Sequence, residues 1–366
     1  MSDNESAQGA THPYERRLCQ QAGFLPVPLI SASYEWLGDL SIYLLKNETY
    51  TLYRRADLEF TREDLNRLID SNVDLVYVSV QNHQLYFKAI ENGLCDIVKD
   101  SNLRQERKAE IVYSTCIALV DQLYDKPPGQ TEIHRVENVS HALVEMILGD
   151  QDSFKYLFEV SNHDFYTATH MVNVCTMMVS LGHQMGFDPQ TLRHIGTGAL
   201  LHDIGKLFVP SELLNTPRKL DARQLSLLKR HVDLGRDYLE KVAPLDPISM
   251  AIVAEHHERL DGSGYPIQLE GDDITIYGRM AAVVDVYEAM TSVRPYRQRT
   301  FSFDEVLLLL EETNATQYDM RVVEEFRKMI DTNLLRVDPT EQDSLSNEKF
   351  IAKQGGFNSQ VQQVIH

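Results

Sequence analysis

The stretch G-A-L-L-H-D-I-G-K, residues 198–206, places an imidazole and a carboxylate directly after a run of apolar residues. Alanine and leucine are often buried, so the run favours a core position for its neighbours His202 and Asp203 as well. A buried imidazole or carboxylate costs free energy unless it is paired or bound to a metal. The stretch therefore predicts a helical core that carries a polar site.

Histidines and acids of the same kind recur through the second half of the chain. They are His170, His231, the adjacent pair His256 and His257, and Asp285. Taken singly, each has an ordinary explanation, since a core histidine is usually hydrogen-bonded and an aspartate can pair with an arginine. Together with His202 and Asp203 they provide five imidazoles and two carboxylates, enough for two metal ions that share a bridge. The set has no thiolate, so it suits iron, manganese, nickel or zinc better than calcium or magnesium.

The histidine pair lies near the start of the stretch A-E-H-H-E-R-L-D-G-S-G-Y-P, residues 254–266. Adjacent side chains on a helix diverge by about 100°, so a metal that accepts both must lie over the surface between them. Gly262 and Gly264 permit backbone angles closed to other residues, and Pro266 prevents the helix from resuming. The stretch predicts a loop of fixed shape beside the site.

Charge and composition exclude several classes of function. The net charge of −19 over 366 residues repels polyanions, so we expect neither a nucleic-acid polymer nor an anionic membrane surface as a partner. The sequence has no run of 18 apolar residues and no signal-peptide pattern at its start, which predicts a cytoplasmic protein without membrane insertion. The cysteines lack C-x-x-C spacing, which argues against a disulfide framework or a zinc–thiolate site.

The residue pattern predicts an α+β protein, with strands in the first part and helices in the second. Four runs before residue 98 are rich in β-branched and aromatic residues, the composition of strands. They are D-L-S-I-Y-L-L (39–45), T-Y-T-L-Y-R-R (49–55), D-L-V-Y-V-S-V (74–80) and Q-L-Y-F-K-A-I (84–90). Between the second and third, Thr61 and Asp64 have the spacing of a capping box at the start of a helix.

Helical periodicity begins near residue 103 and continues almost without interruption, which separates the chain into segments. The predicted segments are a flexible tail at 1–12, a small α/β regulatory or dimerisation module at 13–98, connector helices at 99–150, an all-helical catalytic domain at 151–335, and a mobile tail at 336–366.

The ordered series H…HDxGK…H…HH…GYP…D resembles the HD-GYP family, a branch of the HD phosphohydrolase superfamily. The match runs from about residue 101 to 333, and its most specific parts are L-L-H-D-I-G-K, H-H-E-R-L-D-G-S-G-Y-P and D-V-Y-E-A-M-T-S-V-R-P-Y-R. The resemblance implies an all-α HD-type catalytic domain with a binuclear metal centre. It also implies hydrolysis of the bacterial second messenger cyclic di-GMP, to linear pGpG, to GMP or to both, by a hydroxide that bridges the metals.

The resemblance further assigns the ligands. One metal would be held by His170, His202, Asp203 and Asp285, the other by His231, His256 and His257, with Asp203 bridging both. Some family members hold a third metal through a glutamate at the position that Tyr166 occupies here, so two metals are expected. Iron or manganese is expected to fill them, with nickel and zinc as alternatives.

Four further residues are candidates for substrate contact, and one of them also for catalysis alongside Asp203. Lys206 lies one turn after His202 and three residues after Asp203, so it faces the same site, where it could bind a phosphoryl oxygen or assist the leaving oxygen. The resemblance places Arg294 and Arg297 against substrate phosphate, which guanidinium groups match well. Tyr265 either stacks on a guanine, bonds to a phosphate or only packs the loop.

Two other functions stay open for the same residues. The first is an HD hydrolase that acts on another cyclic or linear nucleotide, and the second is a slow cyclic di-GMP receptor that signals through protein contacts. A homodimer or a signalling protein partner is compatible with either. Residues 13–98 carry no glycine-rich phosphate loop and no cysteine–histidine set that would assign them a chemistry of their own.

Overall fold

Two units divide the chain, Met1–Asp100 and Ser101–His366. The computed structural model describes residues 24–29, 37, 40–46, 49–71, 73, 75–79, 81, 91, 93–101, 103–161, 167–214, 220–292, 301–313 and 316–334. The predicted tails at 1–12 and 336–366 lie outside these residues. The predicted fold class is confirmed, because a small unit with a sheet precedes a unit made of helices.

An antiparallel sheet forms the frame of the first unit. Its strands are β1 (Phe24–Pro28), β2 (Ile42–Lys46), β3 (Thr49–Arg54) and β4 (Leu75–Ser79), in the spatial order β1-β4-β2-β3. β3 and β4 lie within predicted runs, and β2 overlaps a third run and extends one residue beyond it. The fourth run, 84–90, lies outside the described residues. The sequence did not predict β1, which contains two prolines. It pairs with β4 at the edge of the sheet, where a strand has neighbours on one side only and tolerates prolines.

One helix of the first unit, α1 (Arg62–Asp70), begins as predicted. The Thr61 hydroxyl accepts a hydrogen bond from the Asp64 backbone N–H at 3.2 Å, and the Asp64 carboxylate accepts one from the Thr61 backbone N–H at 3.1 Å. The two bonds satisfy donors that a helix start leaves unpaired, so the local sequence fixes where α1 begins.

The second unit is built from helices whose ends reach the candidate site. They are α2 (Gln105–Asp125), α3 (Gln130–Gly149), α4 (Ser153–Val160), α5 (Thr167–Gln184), α6 (Pro189–Leu201), α7 (Ser211–Leu214), α8 (Ala222–Lys229), α9 (His231–Val242), α10 (Pro247–Glu255), α11 (Ile276–Thr291), α12 (Phe303–Leu308) and α13 (Met320–Leu334). A 3₁₀ turn at Ile204–Phe208 follows α6. No helix in the described part of the chain has both the length and the hydropathy that a membrane span requires.

The core of the second unit lies around α5 and α11, which pack against each other and are buried on most sides. Next to them, α6 packs against α5, α3 and α10. Sequence signals set the helix starts here, since Asp188 and Asp246 cap α6 and α10 and a proline follows each cap. The two helices end at Leu201 and Glu255, directly before the predicted ligands His202 and His256.

Candidate metal centre

The seven predicted ligands converge in the second unit from five helices. His202 and Asp203 follow the end of α6, His231 begins α9, and His256 and His257 follow the end of α10, while His170 and Asp285 lie within α5 and α11. All are buried, with at most 6% of any residue exposed. The structure therefore brings together residues separated by more than 100 positions in the chain.

A glycine allows the close approach that positions Asp203 beside His231. A side chain on Gly205 would overlap the carbonyl oxygen of His231 and the backbone nitrogen of Gly235. Only glycine fits the 3₁₀ turn at this distance from α9. The glycine of the H-D-I-G-K stretch thus serves the site by packing and not by contact with a ligand.

The first cluster contains His170, His202 and Asp285, whose ligand atoms lie within 4.8 Å of one another. His170 Nε2 is 3.2 Å from Asp285 Oδ1 and 3.6 Å from Asp203 Oδ2. His202 Nε2 is 3.5 Å from that same Asp203 oxygen and 3.9 Å from Asp285 Oδ1.

The second cluster contains Asp203, His231, His256 and His257, again within 4.8 Å. His231 Nε2 and His256 Nε2 lie 3.3 Å and 3.9 Å from Asp203 Oδ1. Asp203 therefore turns one carboxylate oxygen to each cluster. That is the arrangement a bridging ligand requires.

Hydrogen bonds hold four of the imidazoles with Nε2 toward the clusters. His202 Nδ1 donates to the carbonyl of Ala199 at 2.8 Å, and His231 Nδ1 donates to that of Leu228 at 2.8 Å. His256 Nδ1 donates in the same way to the carbonyl three residues earlier, at 3.0 Å. Because a carbonyl only accepts, Nδ1 carries the proton and Nε2 keeps the lone pair that a metal needs.

The fourth imidazole, His170, is held by a carboxylate that the sequence reasoning missed. Its Nδ1 bonds to Glu288 Oε2, and Asn173 Nδ2 donates to Glu288 Oε1 at 3.1 Å. A carboxylate behind a ligating histidine fixes the ring and makes it a stronger ligand. The signal was available, since Glu288 follows Asp285 by three residues in D-V-Y-E-A-M and so shares its helix face.

Burial and neighbouring charge separate the protonation states of the histidines. Burial lowers the pKa of His202, and together with the charge of neighbouring imidazoles it lowers the pKa of His256 to about 3. Burial also acts to lower the pKa of His170, but the carboxylates of Glu288 and Asp285 outweigh it and raise that pKa to about 9. At neutral pH and without metal, His202 and His256 are neutral and His170 is protonated.

The two aspartates are ionised although they are buried. Burial acts to raise the pKa of Asp203, but the Lys206 ammonium and the neighbouring imidazoles hold it well below its usual range. At Asp285, hydrogen bonding and charge from His170 likewise outweigh burial and lower the pKa. Both carboxylates are therefore in the form that binds cations.

The donor set fits a pair of divalent metals. Within the described part of the chain, His202 Nε2 and Asp203 Oδ1 are buried and have no hydrogen-bond partner. Such atoms are costly unless something satisfies them, and a cation would do so at both. Imidazole nitrogens and carboxylate oxygens without thiolates suit iron, manganese, nickel or zinc.

The remaining predicted site residues are placed as follows. Lys206 forms an ion pair with Asp203 Oδ2, the oxygen that faces the first cluster. The Tyr265 ring stacks on His257, with centroids 4.6 Å apart, and Lys229 Nζ lies 4.6 Å from the Tyr265 centroid. Arg294, Arg297 and Tyr166 lie outside the described residues.

Glu258, which follows the histidine pair, holds the glycine-rich loop in shape. Its buried carboxylate accepts hydrogen bonds from the backbone N–H groups of Ile267, Gln268 and Leu269, at 2.8, 3.2 and 3.0 Å. A side chain on Gly264 would overlap the backbone of Glu258, so the loop folds tightly over this carboxylate. The loop shape therefore depends on a buried acid as well as on its glycines.

Comparison with known proteins shows what the segment that carries the site is similar to. Residues 155–322 match the family described as the HD domain, and proteins of this family bind divalent metals. The matched segment contains all seven of the clustered side chains.

Among curated proteins, a cyclic di-GMP phosphodiesterase of Pseudomonas aeruginosa is 32% identical over 214 residues, which are 58% of this chain and 51% of that protein. A cyclic di-GMP phosphodiesterase of Thermotoga maritima is 32% identical over 183 residues, 48% of this chain and 50% of that protein. A 3'3'-cGAMP-specific phosphodiesterase of Vibrio cholerae is 37% identical over 132 residues, 36% of this chain and 25% of that protein. The chain thus spans about half the length or less of these relatives.

Among solved structures, an HDG"Y"P protein of Bdellovibrio bacteriovorus matches with a TM-score of 0.58 and 18% identity, covering 84% of this chain and 99% of that chain. At this level of identity the match concerns the fold.

Proposed function

Because residues 155–322 are an HD domain that carries the HD-GYP motifs, we propose that this chain is a metal-dependent phosphodiesterase of cyclic dinucleotides. Its substrate in this proposal is cyclic di-GMP, which two of the relatives described above are named for hydrolysing. The products are linear pGpG, GMP or both.

The placement of Asp203 supports the proposal most directly. Its two carboxylate oxygens face two clusters of buried imidazoles, with His170 and His202 on one side and His231 and His256 on the other. A single structural cation would need only one cluster. Two clusters that share a carboxylate suit hydrolysis of a phosphodiester, in which attacking and leaving oxygens both need stabilisation.

Two divalent metals held by these residues would supply Lewis-acid chemistry, activating water and neutralising phosphoryl oxygens. The protein's own residues orient the ligands and supply the charge that metal binding needs. Backbone carbonyls and Glu288 hold the imidazoles with Nε2 toward the clusters, and the ionised Asp203 and Asp285 supply negative charge for the cations. Lys206 adds a cation at the site that can bind a phosphoryl oxygen or assist the leaving oxygen. In this proposal Arg294 and Arg297 bind substrate phosphate.

The metals also explain how a chain with a net charge of −19 would bind an anion. Local cations must outweigh the repulsion of the whole surface. We propose that both metal ions are iron or that both are manganese, since either metal accepts imidazole together with carboxylate.

The test uses full-length protein, purified anaerobically and loaded with Fe(II) or Mn(II), incubated with cyclic di-GMP, and anion-exchange chromatography of the products. We expect linear pGpG or GMP from the wild type and none from His202→Ala or Asp203→Ala. His183→Ala is the matched control, because His183 is exposed at the other end of the helix that carries His170. Full activity in Asp203→Ala, or no cleavage by metal-loaded wild type, would contradict the proposal.

The second candidate substrate is 3'3'-cGAMP. The observation that favours it is the 37% identity to the Vibrio cholerae enzyme named for that dinucleotide, although over a shorter segment. Running both dinucleotides in the same assay decides between them by the ratio of kcat/KM.

A further inference from the structure

Two tyrosines of α2 direct their hydroxyl groups at the scaffold of the candidate metal centre. Tyr113 and Tyr124 lie eleven positions apart, which is about three turns and about 17 Å along the helix, so they share one face. The helix packs against α3, α4 and α5, and it also contacts the 3₁₀ turn that follows Asp203. Neither tyrosine belongs to the ligand set.

Tyr113 reaches His170 through two intermediate side chains. Its hydroxyl donates to Asn173 Oδ1 at 2.9 Å, the Asn173 amide nitrogen donates to Glu288 Oε1 at 3.1 Å, and Glu288 bonds to His170. All four side chains are buried, with 3 to 7% exposed. The three hydrogen bonds of this series are all buried, so water cannot replace a lost partner.

The hydroxyl of Tyr113 holds the Asn173 amide in the orientation that the Glu288 carboxylate requires. Because the phenol donates to Oδ1, the amide nitrogen is left to face the Glu288 carboxylate. A reversed amide would set an oxygen against that carboxylate and lose the bond to Glu288. Glu288 in turn orients the His170 ring. The Tyr113 phenol therefore acts on His170 through three successive hydrogen bonds.

Tyr124 contacts a second ligand residue of the same centre, Asp203. Its hydroxyl donates to the backbone carbonyl of Asp203 at 2.9 Å and lies 3.3 Å from the sulfur of Met171, the residue after His170. The bond fixes the peptide group of the residue whose carboxylate faces both clusters. A ring alone would fill the same space, so the hydroxyl is the part that serves the site.

We propose that Tyr113 and Tyr124 are positioning residues of the metal centre, Tyr113 for His170 and Tyr124 for Asp203. This inference rests on the metal site of the proposed function but not on its substrate. It predicts that removing either hydroxyl weakens metal binding while the fold is kept.

The experiment titrates metal-free full-length protein with Mn(II) and follows the two sites by calorimetry and electron paramagnetic resonance, without substrate. Tyr113→Phe should weaken one of the two sites about fivefold, the equivalent of one neutral hydrogen bond, and leave the other within twofold. Tyr124→Phe should weaken both sites about threefold, because Asp203 faces both clusters. Tyr287→Phe is the matched control, since within the described residues its buried hydroxyl has no hydrogen-bond partner and its removal should leave both affinities unchanged.

Thermal unfolding of the metal-free variants measures any purely structural effect separately. Wild-type affinity at both sites in Tyr113→Phe and Tyr124→Phe, even with a lower Tm, overturns the inference. A wild type that binds no Mn(II) overturns it as well. A wild type that binds two ions but cleaves no cyclic dinucleotide contradicts the proposed function alone.

Discussion

Glu288 lies behind His170, bonded to its Nδ1, and so holds the imidazole from the side opposite the candidate metal centre. From this position the carboxylate increases the electron density at Nε2 without touching the cation, which strengthens His170 as a metal ligand.

We expect Glu288→Gln to weaken one of the two metal sites by about 10-fold or more, since an amide neither carries the charge nor orients the ring as firmly. Metal titration of the metal-free protein measures this. Glu137→Gln is the matched control, because Glu137 pairs with His134 at 2.7 Å on the exposed surface. Equal metal affinity in Glu288→Gln and wild type would show that His170 does not depend on this carboxylate.

Metal affinity should rise with pH across the neutral range. The pKa of His170 is raised to about 9 in the metal-free protein, because the carboxylates of Glu288 and Asp285 outweigh burial. A metal must displace that proton, so below pH 9 the affinity at the His170 cluster should increase by up to about tenfold per pH unit. Calorimetry in buffers of different ionisation enthalpy counts the released proton. A metal affinity at this cluster that is constant from pH 6.5 to 8.5 would show that metal binding displaces no proton from His170.

The carboxylate of Glu258 should matter for substrate and not for metal. In Glu258→Gln one oxygen becomes an amide donor that faces a backbone donor among residues 267–269, which costs about 1–3 kcal/mol of local stability. We expect a KM raised about fivefold or more, faster amide exchange in the loop, and unchanged metal content. Glu212→Gln changes an exposed glutamate of α7 and serves as the control. A loop that exchanges at the wild-type rate contradicts this role.

The ring of Tyr265, stacked on His257, should contribute more than its hydroxyl. Tyr265→Phe keeps the ring and should retain activity within about twofold, whereas Tyr265→Ala should lose about tenfold, since an aromatic pair contributes about 0.5–1.5 kcal/mol beyond its buried area. Steady-state kinetics on both variants decides this. If phenylalanine is as damaging as alanine, the hydroxyl contacts the substrate instead.

Stability should respond to Asp319, which caps α13 and pairs with Arg279 at 3.0 Å while only 4% of its side chain is exposed. Hydrogen bonds from Arg321 and Arg279 outweigh burial and lower its pKa to about 2. A depressed pKa means that the stabilisation is present above the ordinary aspartate pKa and is lost as pH falls through 2. Asp319→Asn should therefore lower the free energy of unfolding by about 1–2 kcal/mol at pH 7, with a smaller difference at pH 3.

Urea unfolding at pH 7 and pH 3 measures the effect of Asp319→Asn. The control is Asp272→Asn, because Asp272 pairs with the same Arg279 at 2.9 Å but is fully exposed. Such a surface pair contributes little, so its loss should change stability by less than about 0.5 kcal/mol. Equal effects of the two substitutions would refute the assignment.

The sequence alone predicted the α+β class, the start of α1, and the seven clustered side chains of the candidate site. These follow from local rules: a capping box depends on three neighbouring residues, and apolar runs around His202 and Asp285 require burial whatever surrounds them. The β1 strand was missed because it contains prolines, which a sheet tolerates only in an edge strand. The sequence of a strand does not show whether that strand lies at the edge.

The tertiary structure decided which partner each side chain has. Asp203 turning one oxygen to each cluster, Glu288 behind His170, and Tyr113 reaching Asn173 across 60 positions of chain all depend on how helices cross. Sequence spacing tells which residues share one helix face, but contacts between helices depend on packing of the whole core. The sequence thus determined the chemistry available to this protein, and the packing of α2, α5 and α11 decided how that chemistry is held in place.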